Sequence, residues 1–269
     1  MDAKESDRFT MHHKKTALRS AFGKKVLRIA SVLSTTILLS SCLTSSVRAE
    51  RKNIIFTETF EQGDLKQWGK EECCHAVVTY PTRSGQHAYQ SLLKPAGKAR
   101  AELKLNSFPK NSERWVGVSV YFPQGGDKGF VSFFQFHIRP DKGKSWTSPP
   151  FQVIMRGDSL SLRRYARGTA GSNQTWDLGP VTRGKWMDFV FHIKSSHTSN
   201  GLFEAWVNGV QKVNYSGATS LDYSHGPHVK MGVYVGIGNK ASTETILYYD
   251  DLRIGDEKAT YKDVAPGGD

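Results

Sequence analysis

The alternation of short apolar segments with turn signals constrains the fold of this chain more than any other feature. In residues 99–105 and 115–122, apolar side chains recur at every second position, which is the period of a β-strand with one buried face. Asn208 and Gly209 form a strong hairpin signal, and no long segment after residue 50 repeats with the helical period. These patterns predict an all-β fold, a β-sandwich jelly roll, as a single domain over residues 50–256. Residues 257–269 are predicted to be a frayed polar tail.

Residues 1–49 have the features of an export signal. A basic segment precedes residues 29–39, an apolar stretch that is too short and too rich in Ser and Thr for a transmembrane span. Residues 39–42 resemble a bacterial lipobox, which makes Cys42 a candidate lipidated N-terminus, whereas residues 47–49 fit an ordinary cleavage site. An uncleaved anchor is the third alternative. The domain is therefore expected to act outside the cytoplasm, either secreted or lipid-anchored in the periplasm or outer membrane.

The charge of the chain limits its partners. The formal net charge is +12, and residues 1–49 hold nine Lys/Arg against three Asp/Glu, which leaves 28 against 22 for residues 50–269. The domain is therefore only mildly basic. That balance suits an acidic polymer and falls short of a nucleic-acid signature, and no nucleic-acid motif is present. We expect no nucleic-acid partner, membrane contact only through a lipid anchor, and a monomeric protein.

Two adjacent cysteines, Cys73 and Cys74, are the only ones in the predicted domain. Their Cα atoms must lie about 3.8 Å apart, which is below the usual disulfide span of about 4.4 Å or more. A strained vicinal disulfide and two free thiols both remain open. His75 follows directly, but three consecutive ligands have poor geometry for a metal ion, so no metal site is predicted.

Residues 132–139 contain a strand with one chemically distinctive face. Its apolar face holds Phe134, Phe136 and Ile138. The other face holds Gln135, His137 and Arg139, and Ser132 and Phe133 share that parity or flank the strand. An amide, an imidazole and a guanidinium on one face suit an anionic ligand. An ordinary antiparallel strand with one wet face is the alternative interpretation.

Further candidate residues lie elsewhere in the chain. The loop of residues 139–150 offers Lys142, Lys144 and Trp146 as the rim of a sugar-binding cleft. Three other groups draw attention: Arg100 with Glu102, Lys230 with Tyr234, and Tyr248-Tyr249-Asp250-Asp251. Each has a plain structural interpretation as well. Arg100 and Glu102, for example, could form a surface ion pair worth less than about 1 kcal/mol.

Taken in order, these motifs resemble one known family. They are Arg-Ala-Glu-Leu at 100–103, the strand at 115–123, Phe-Gln-Phe-His at 134–137, the segment from Trp186 to Gly209, Lys-Met-Gly-Val-Tyr at 230–234, and Tyr-Tyr-Asp-Asp at 248–251. Together they resemble the heparin lyase I and glucuronan lyase group of polysaccharide lyases over residues 54–256. The resemblance implies a concanavalin A-like jelly roll with a cleft across its concave sheet. It also implies β-eliminative cleavage of an anionic, uronic-acid-containing polysaccharide.

The chain departs from the heparin-cleaving members of the group at their calcium site. That site precedes the Lys-x-x-x-Tyr element, and residues 222–227 offer one carboxylate here and no cage for a hard cation. The residues therefore do not support calcium, and the chemistry requires no other cofactor. The compact size is more similar to that of glucuronan- or alginate-type lyases.

The family's Gln-x-His, Lys-x-x-x-Tyr and Arg-x-Glu elements fall on Gln135 and His137, Lys230 and Tyr234, and Arg100 and Glu102. The chemistry of elimination suggests the roles of the catalytic candidates. Arg100 and Gln135 are the candidates to neutralise the uronate carboxylate, because C5–H is otherwise too weak an acid. His137 is the candidate base and Tyr234 the candidate acid, although Tyr234 could serve as both while His137 helps to neutralise. The remaining candidates for substrate binding are Lys230, Glu102, Arg139, Lys142, Lys144 and Trp146.

Two other functions remain compatible with the same sandwich. A non-catalytic carbohydrate-binding module would use the basic face and the aromatic residues without an acid–base pair. A glycoside hydrolase needs two carboxylates facing one cleft, and only Glu102 lies in a candidate motif. The lyase is the preferred hypothesis.

Overall fold

The regular structure of the protein is almost wholly β-strand. This computed structural model describes residues 53–126, 129–165, 173–236 and 239–267, all of which belong to one compact unit, Ala49–Asp269. The elements within them are β1 (Ile54–Glu58), β2 (Gly69–Glu72), β3 (His75–Val78), β4 (Ala88–Leu93), β5 (Arg100–Lys104), β6 (Glu113–Tyr121), β7 (Phe130–His137), β8 (Phe151–Arg156), β9 (Ser159–Arg164), β10 (Gln174–Pro180), β11 (Trp186–Lys194), β12 (Leu202–Val207), β13 (Val210–Ser216), β14 (His228–Tyr234), β15 (Thr245–Gly255) and α1 (Tyr261–Val264).

The strands form two antiparallel sheets. The eight-stranded sheet has the order β13-β12-β11-β6-β15-β4-β3, with β1 also paired to β15. The seven-stranded sheet has the order β10-β9-β8-β7-β14-β5-β2. In the seven-stranded sheet, β7, β14 and β5 are neighbours although they are distant in sequence. This arrangement confirms the predicted β-sandwich.

Aromatic side chains fill the space between the sheets. The rings of Phe134 and Phe136 on β7 lie 5.0 and 5.5 Å from Phe191 on β11. Both phenylalanines are buried, as the two-residue period predicts. Phe133 differs from the prediction, since it is buried against Phe122 and Phe189 at 5.2 and 5.4 Å. The reason is a register shift between Ser132 and Phe134, which turns an extra residue toward the core.

A second irregularity lies where β14 crosses β7. The register between these strands shifts between Met231 and Tyr234, and Gly232 adopts a φ of 138°. A Cβ atom at Gly232 would lie 2.0 Å from the carbonyl oxygen of Ala101, so only glycine fits there. The shift takes carbonyl oxygens out of the regular ladder. From the opposite sheet, the Tyr249 hydroxyl lies 2.9 Å from the Phe133 oxygen and 3.0 Å from the Gly232 oxygen, and donates to them.

We expect Tyr249→Phe to lower the free energy of unfolding by about 1–3 kcal/mol, because it leaves buried carbonyl oxygens without this donor. Denaturant unfolding measures the change. Tyr248→Phe is the matched control, since its neighbouring hydroxyl is only partly buried and accepts from Gln90 at 3.2 Å. An equal loss in both variants would show that the hydroxyl of Tyr249 has no special role.

The prediction of a frayed tail does not hold for residues 257–267. Ala259 and Val264 are buried, and Arg253 donates to the carbonyl oxygen of Ala265 at 2.8 Å. The ring of Tyr261 lies 5.6 Å from that of Trp206. The segment therefore packs on the eight-stranded sheet, because its few apolar side chains find partners that its polar composition conceals.

The structure also bears on the cysteines, on metal binding and on membrane-spanning helices. Cys73 and Cys74 form a disulfide in the connection between β2 and β3, which decides between the two open alternatives. Within the described ranges, no group of three or more His, Cys, Asp or Glu side chains is placed to hold a metal ion, and no helix is long and apolar enough to cross a membrane. The export segment and Cys42 lie outside the described residues.

Candidate active site

A cleft of about 680 Å³ lies on the open face of the seven-stranded sheet. The strand register decides which side chains line it. Lys230 is the cross-strand partner of Gln135, and Tyr234 is the partner of Arg100. Because directly opposed residues face the same side of a sheet, these side chains emerge together. His137 also lines the cleft. All four candidate catalytic residues of the sequence analysis are therefore brought into one site.

His137 ends β7 with one ring nitrogen held by the backbone. Its Nδ1 lies 3.0 Å from the carbonyl oxygen of Ile138 and donates to it, so Nε2 of the neutral ring is free of a proton. Burial lowers the pKa of His137 to about 4, and the charge of Lys230 lowers it further. The ring of Trp146 meets the imidazole edge-on at 5.7 Å. His137 is therefore a neutral acceptor near neutral pH.

Tyr234 is the last residue of β14, and a cation covers its ring. The guanidinium carbon of Arg100 lies 4.4 Å from the centroid of the phenol ring. Arg100 also binds two carboxylates, at 2.8 Å from Glu71 and 3.4 Å from Glu102. The cation–π contact and the ion pairs hold the phenol and the guanidinium as one unit at the cleft.

Glu102 has a different place from the one predicted. It was expected to bind substrate, but it is only 1% exposed and lies beneath the cleft, where it accepts a hydrogen bond from the amide nitrogen of Gln135. Burial raises the pKa of Glu102 against the opposing charges of Lys230 and Arg100. The register puts Glu102 opposite Gly232, and the side chains of Gln135, Arg100 and Lys230 surround its carboxylate. Glu102 therefore orients Gln135 and leaves the second amide N–H for a ligand.

Glu71 on β2 is a cleft residue that the sequence analysis missed. Its carboxylate accepts from Arg100 at 2.8 Å, from Lys104 at 3.0 Å and from Lys230 at 2.5 Å. Burial by itself would raise the pKa of Glu71, but the hydrogen bonds and charges of these three cations lower it to about 2. No alternation marks residues 69–72, so only the charge pattern Lys-Glu-Glu could have drawn attention to them.

The predicted rim residues separate into two groups. Arg139 and Trp146 line a second cavity of about 270 Å³, and Trp146, which is 65% exposed, also lines the main cleft. Lys142 and Lys144 are exposed and line neither cavity. The second cavity also contains Lys104, His225 and His228.

His228, which lines the second cavity, is another residue that the sequence analysis missed. It is the cross-strand partner of His137, and the two rings lie 5.6 Å apart. Burial lowers the pKa of His228 to about 3, with a further contribution from His137. The site therefore contains two neutral imidazoles side by side.

The Tyr-Tyr-Asp-Asp motif belongs to the eight-stranded sheet and not to the cleft. The carboxylate of Asp250 accepts from the backbone N–H groups of Arg83 and Ser84 at 2.8 and 3.1 Å. Burial raises the pKa of Asp250 to about 7, while those backbone hydrogen bonds oppose the shift. Together with the contacts of Tyr249, this makes the motif a structural element.

Comparisons with solved structures agree with this fold. The endo-β-1,4-glucuronan lyase from the fungus Trichoderma reesei has a TM-score of 0.66 at 19% identity, and the match covers 80% of this chain and 100% of that one. The cellulose-induced protein Cip1 has a TM-score of 0.54 at 16% identity, with 74% and 96% coverage. The alginate lyase Aly36B has a TM-score of 0.53 at 14% identity, with 77% and 96% coverage. At these identities the likenesses show a shared fold.

Sequence comparisons identify the family. A search of curated proteins gave no match. The family model described as polysaccharide lyase matches residues 60–253, which includes most of both sheets and every cleft strand. The chain therefore belongs to the polysaccharide lyase family.

Proposed function

We propose that this lyase cleaves a uronic-acid polysaccharide of the glucuronan or alginate type by β-elimination. The observation that carries the proposal is the convergence of His137, Gln135, Arg100 and Tyr234 on one basic cleft. The structural neighbours include a glucuronan lyase and an alginate lyase, which supports this choice of substrate class. Export, by secretion or by lipidation of Cys42, is proposed from the sequence of residues 1–49 alone.

The first requirement of the reaction is to neutralise the substrate carboxylate. The C5 proton beside a uronate becomes acidic enough only when donors or cations share the negative charge that develops. Arg100 is 4.4 Å from the Tyr234 ring, and Gln135 has one amide N–H beyond the one that binds Glu102. We assign the carboxylate to these two residues, with Lys230 as a further cation at the floor.

The second requirement is a base and an acid. His137 Nε2 takes the proton from C5, the C5–H electron pair forms the C4–C5 double bond, and the bond from C4 to the glycosidic oxygen breaks. The Tyr234 hydroxyl donates its proton to that leaving oxygen. Solvent then takes the extra proton from His137 and returns a proton to Tyr234. The neutral state of His137 supports its assignment as base. It disfavours the alternative in which a cationic His137 neutralises the carboxylate while Tyr234 acts alone.

Two adjacent carboxylates, one lining the cleft and one beneath it, reopen the question of hydrolysis. Glu71 and Glu102 are cross-strand partners on β2 and β5. A glycosidase needs one of its carboxyl groups protonated as the acid. The three cations around Glu71 hold its pKa at about 2, and Glu102 is only 1% exposed. Neither carboxylate is suited to act on a bound sugar, so the lyase chemistry is preferred.

A substrate screen tests the proposal. We expect the purified protein to release unsaturated uronates from glucuronan or alginate, measured as the ultraviolet absorbance of the new double bond. The carboxyl-reduced polymer should give no such product, because it lacks the group that acidifies C5–H. Binding without any product would indicate a carbohydrate-binding module. New reducing ends without absorbance would indicate a hydrolase, and either result would contradict the proposal.

A further inference from the structure

The carboxylate of Glu71 contacts cations of the cleft that a uronate carboxylate would also have to bind. The group accepts from Arg100 Nη1 at 2.8 Å, Lys104 Nζ at 3.0 Å and Lys230 Nζ at 2.5 Å. Arg100 and Lys230 line the main cleft and Lys104 lines the second cavity, whereas Glu71 lines both. The cations that would attract an anionic sugar are therefore already engaged in the free protein.

The two carboxylates in this cluster differ in how easily they can be replaced. Glu102 is only 1% exposed and accepts a hydrogen bond from Gln135. The side chain of Glu71 is 19% exposed and belongs to β2, a four-residue strand that pairs with β5 at the edge of the sheet as described. An incoming ligand can therefore reach and displace Glu71 without disturbing the sheet, whereas Glu102 remains in place.

The charge balance of this cluster favours displacement of Glu71 by an anionic ligand. Three cations (Arg100, Lys104 and Lys230) face two carboxylates (Glu71 and Glu102) in the free protein. Lys230 is only 3% exposed, and a buried cation is costly without a partner. Without Glu71, Lys230 keeps only the more distant carboxylate of Glu102, at 3.6 Å. A uronate can replace Glu71 as the close partner of that cation, whereas a neutral sugar cannot.

We propose that Glu71 is an internal competitor for the substrate carboxylate, which limits substrate affinity and expels the product. This inference rests on the proposed function. Elimination leaves the carboxylate on the unsaturated product, so the product would stay bound to the same cations after cleavage. When Glu71 returns to Arg100 and Lys230, its carboxylate displaces the product carboxylate from these cations. Glu71 therefore lowers the affinity of the site for the substrate uronate and for the product uronate alike.

The test is Glu71→Gln, which keeps the shape of the side chain and removes the competing charge. We expect KM for the polyuronate and the inhibition constant of the isolated product each to fall by about tenfold, because the cluster gains one unit of unopposed positive charge. The affinity should also depend more steeply on added salt. Glu257→Gln is the matched control, since it removes one exposed carboxylate near Arg114, at 4.0 Å, outside both cavities.

Two results would overturn the inference. One is a Glu71→Gln protein that is folded by thermal unfolding but has a KM equal to or above that of the wild type, which would show that Glu71 only holds the cations in place. The other concerns Glu71→Asp, which keeps the charge but shortens its reach to Lys230. Its KM should lie between those of the wild type and Glu71→Gln, and a KM at or above the wild-type value contradicts competition even if the Gln variant does not fold. If the wild type forms no unsaturated product, the proposed function fails instead.

Discussion

Replacement of Tyr234 by Phe is expected to lower kcat by about 10²–10⁴-fold, which is the contribution of a positioned proton donor. The variant lacks only the phenolic oxygen. The ring, which the guanidinium of Arg100 covers at 4.4 Å, remains to hold that cation for substrate binding. We therefore expect KM and the thermal unfolding temperature to change little. Initial rates of absorbance increase on the best polyuronate substrate measure both constants.

Tyr165→Phe is the control for this experiment. Its hydroxyl also faces the cleft, at 3.4 Å from the side-chain oxygen of Gln152, but it lies toward β8 and β9, away from Arg100 and Lys230. Its kcat should stay within a few-fold of the wild-type value. Wild-type turnover in Tyr234→Phe, or a loss confined to KM, would show that another group protonates the leaving oxygen.

Replacement of His137 by Ala should also lower kcat by about 10²–10⁴-fold, and it should change the pH profile. Only the deprotonated ring can accept the C5 proton, and burial lowers the pKa of His137 in the free protein to about 4. In the wild type, kcat/KM should therefore hold at mildly acidic pH and fall only as the pH drops through about 4, well below the ordinary histidine value near 6.5. The residual activity of His137→Ala should lack this limb.

His228→Ala is the matched control, because His228 is the cross-strand partner of His137 and its ring lies 5.6 Å from that of His137. Its loss should affect kcat far less, since this ring lines the second cavity and not the main cleft. A wild-type acid limb near 6.5, or comparable losses of kcat in both variants, would remove His137 as the base.

Residue pattern alone predicted which side chains of a strand share a face. The two-residue period separated Gln135 and His137 from Phe134 and Phe136, and the structure places the first pair at the cleft and the second in the core. This succeeds because the direction of successive side chains is a local property of an extended backbone. The same rule failed at Phe133, where a bulge adds a residue, since a bulge depends on how two strands pair.

Strand pairing also explains why part of the site could not be predicted. Glu71 contacts Lys230 across 159 residues of sequence, because β2 and β14 both lie beside β5. The same pairing buries Glu102 opposite Gly232 and places His228 beside His137. Short strands with similar alternation can pair in many orders, so the sequence does not reveal these neighbours.

The sequence by itself therefore determined the fold class, the family resemblance and the four residues proposed for catalysis, because alternation and short motifs are local signals. Only the tertiary structure decided the partners of those residues and the lowered pKa of His137. The lowered pKa of His137 arises from burial and the charge of Lys230, and the cations of the cleft are held by a carboxylate from the edge strand β2. Burial and ion pairing depend on distances between strands that are far apart in sequence.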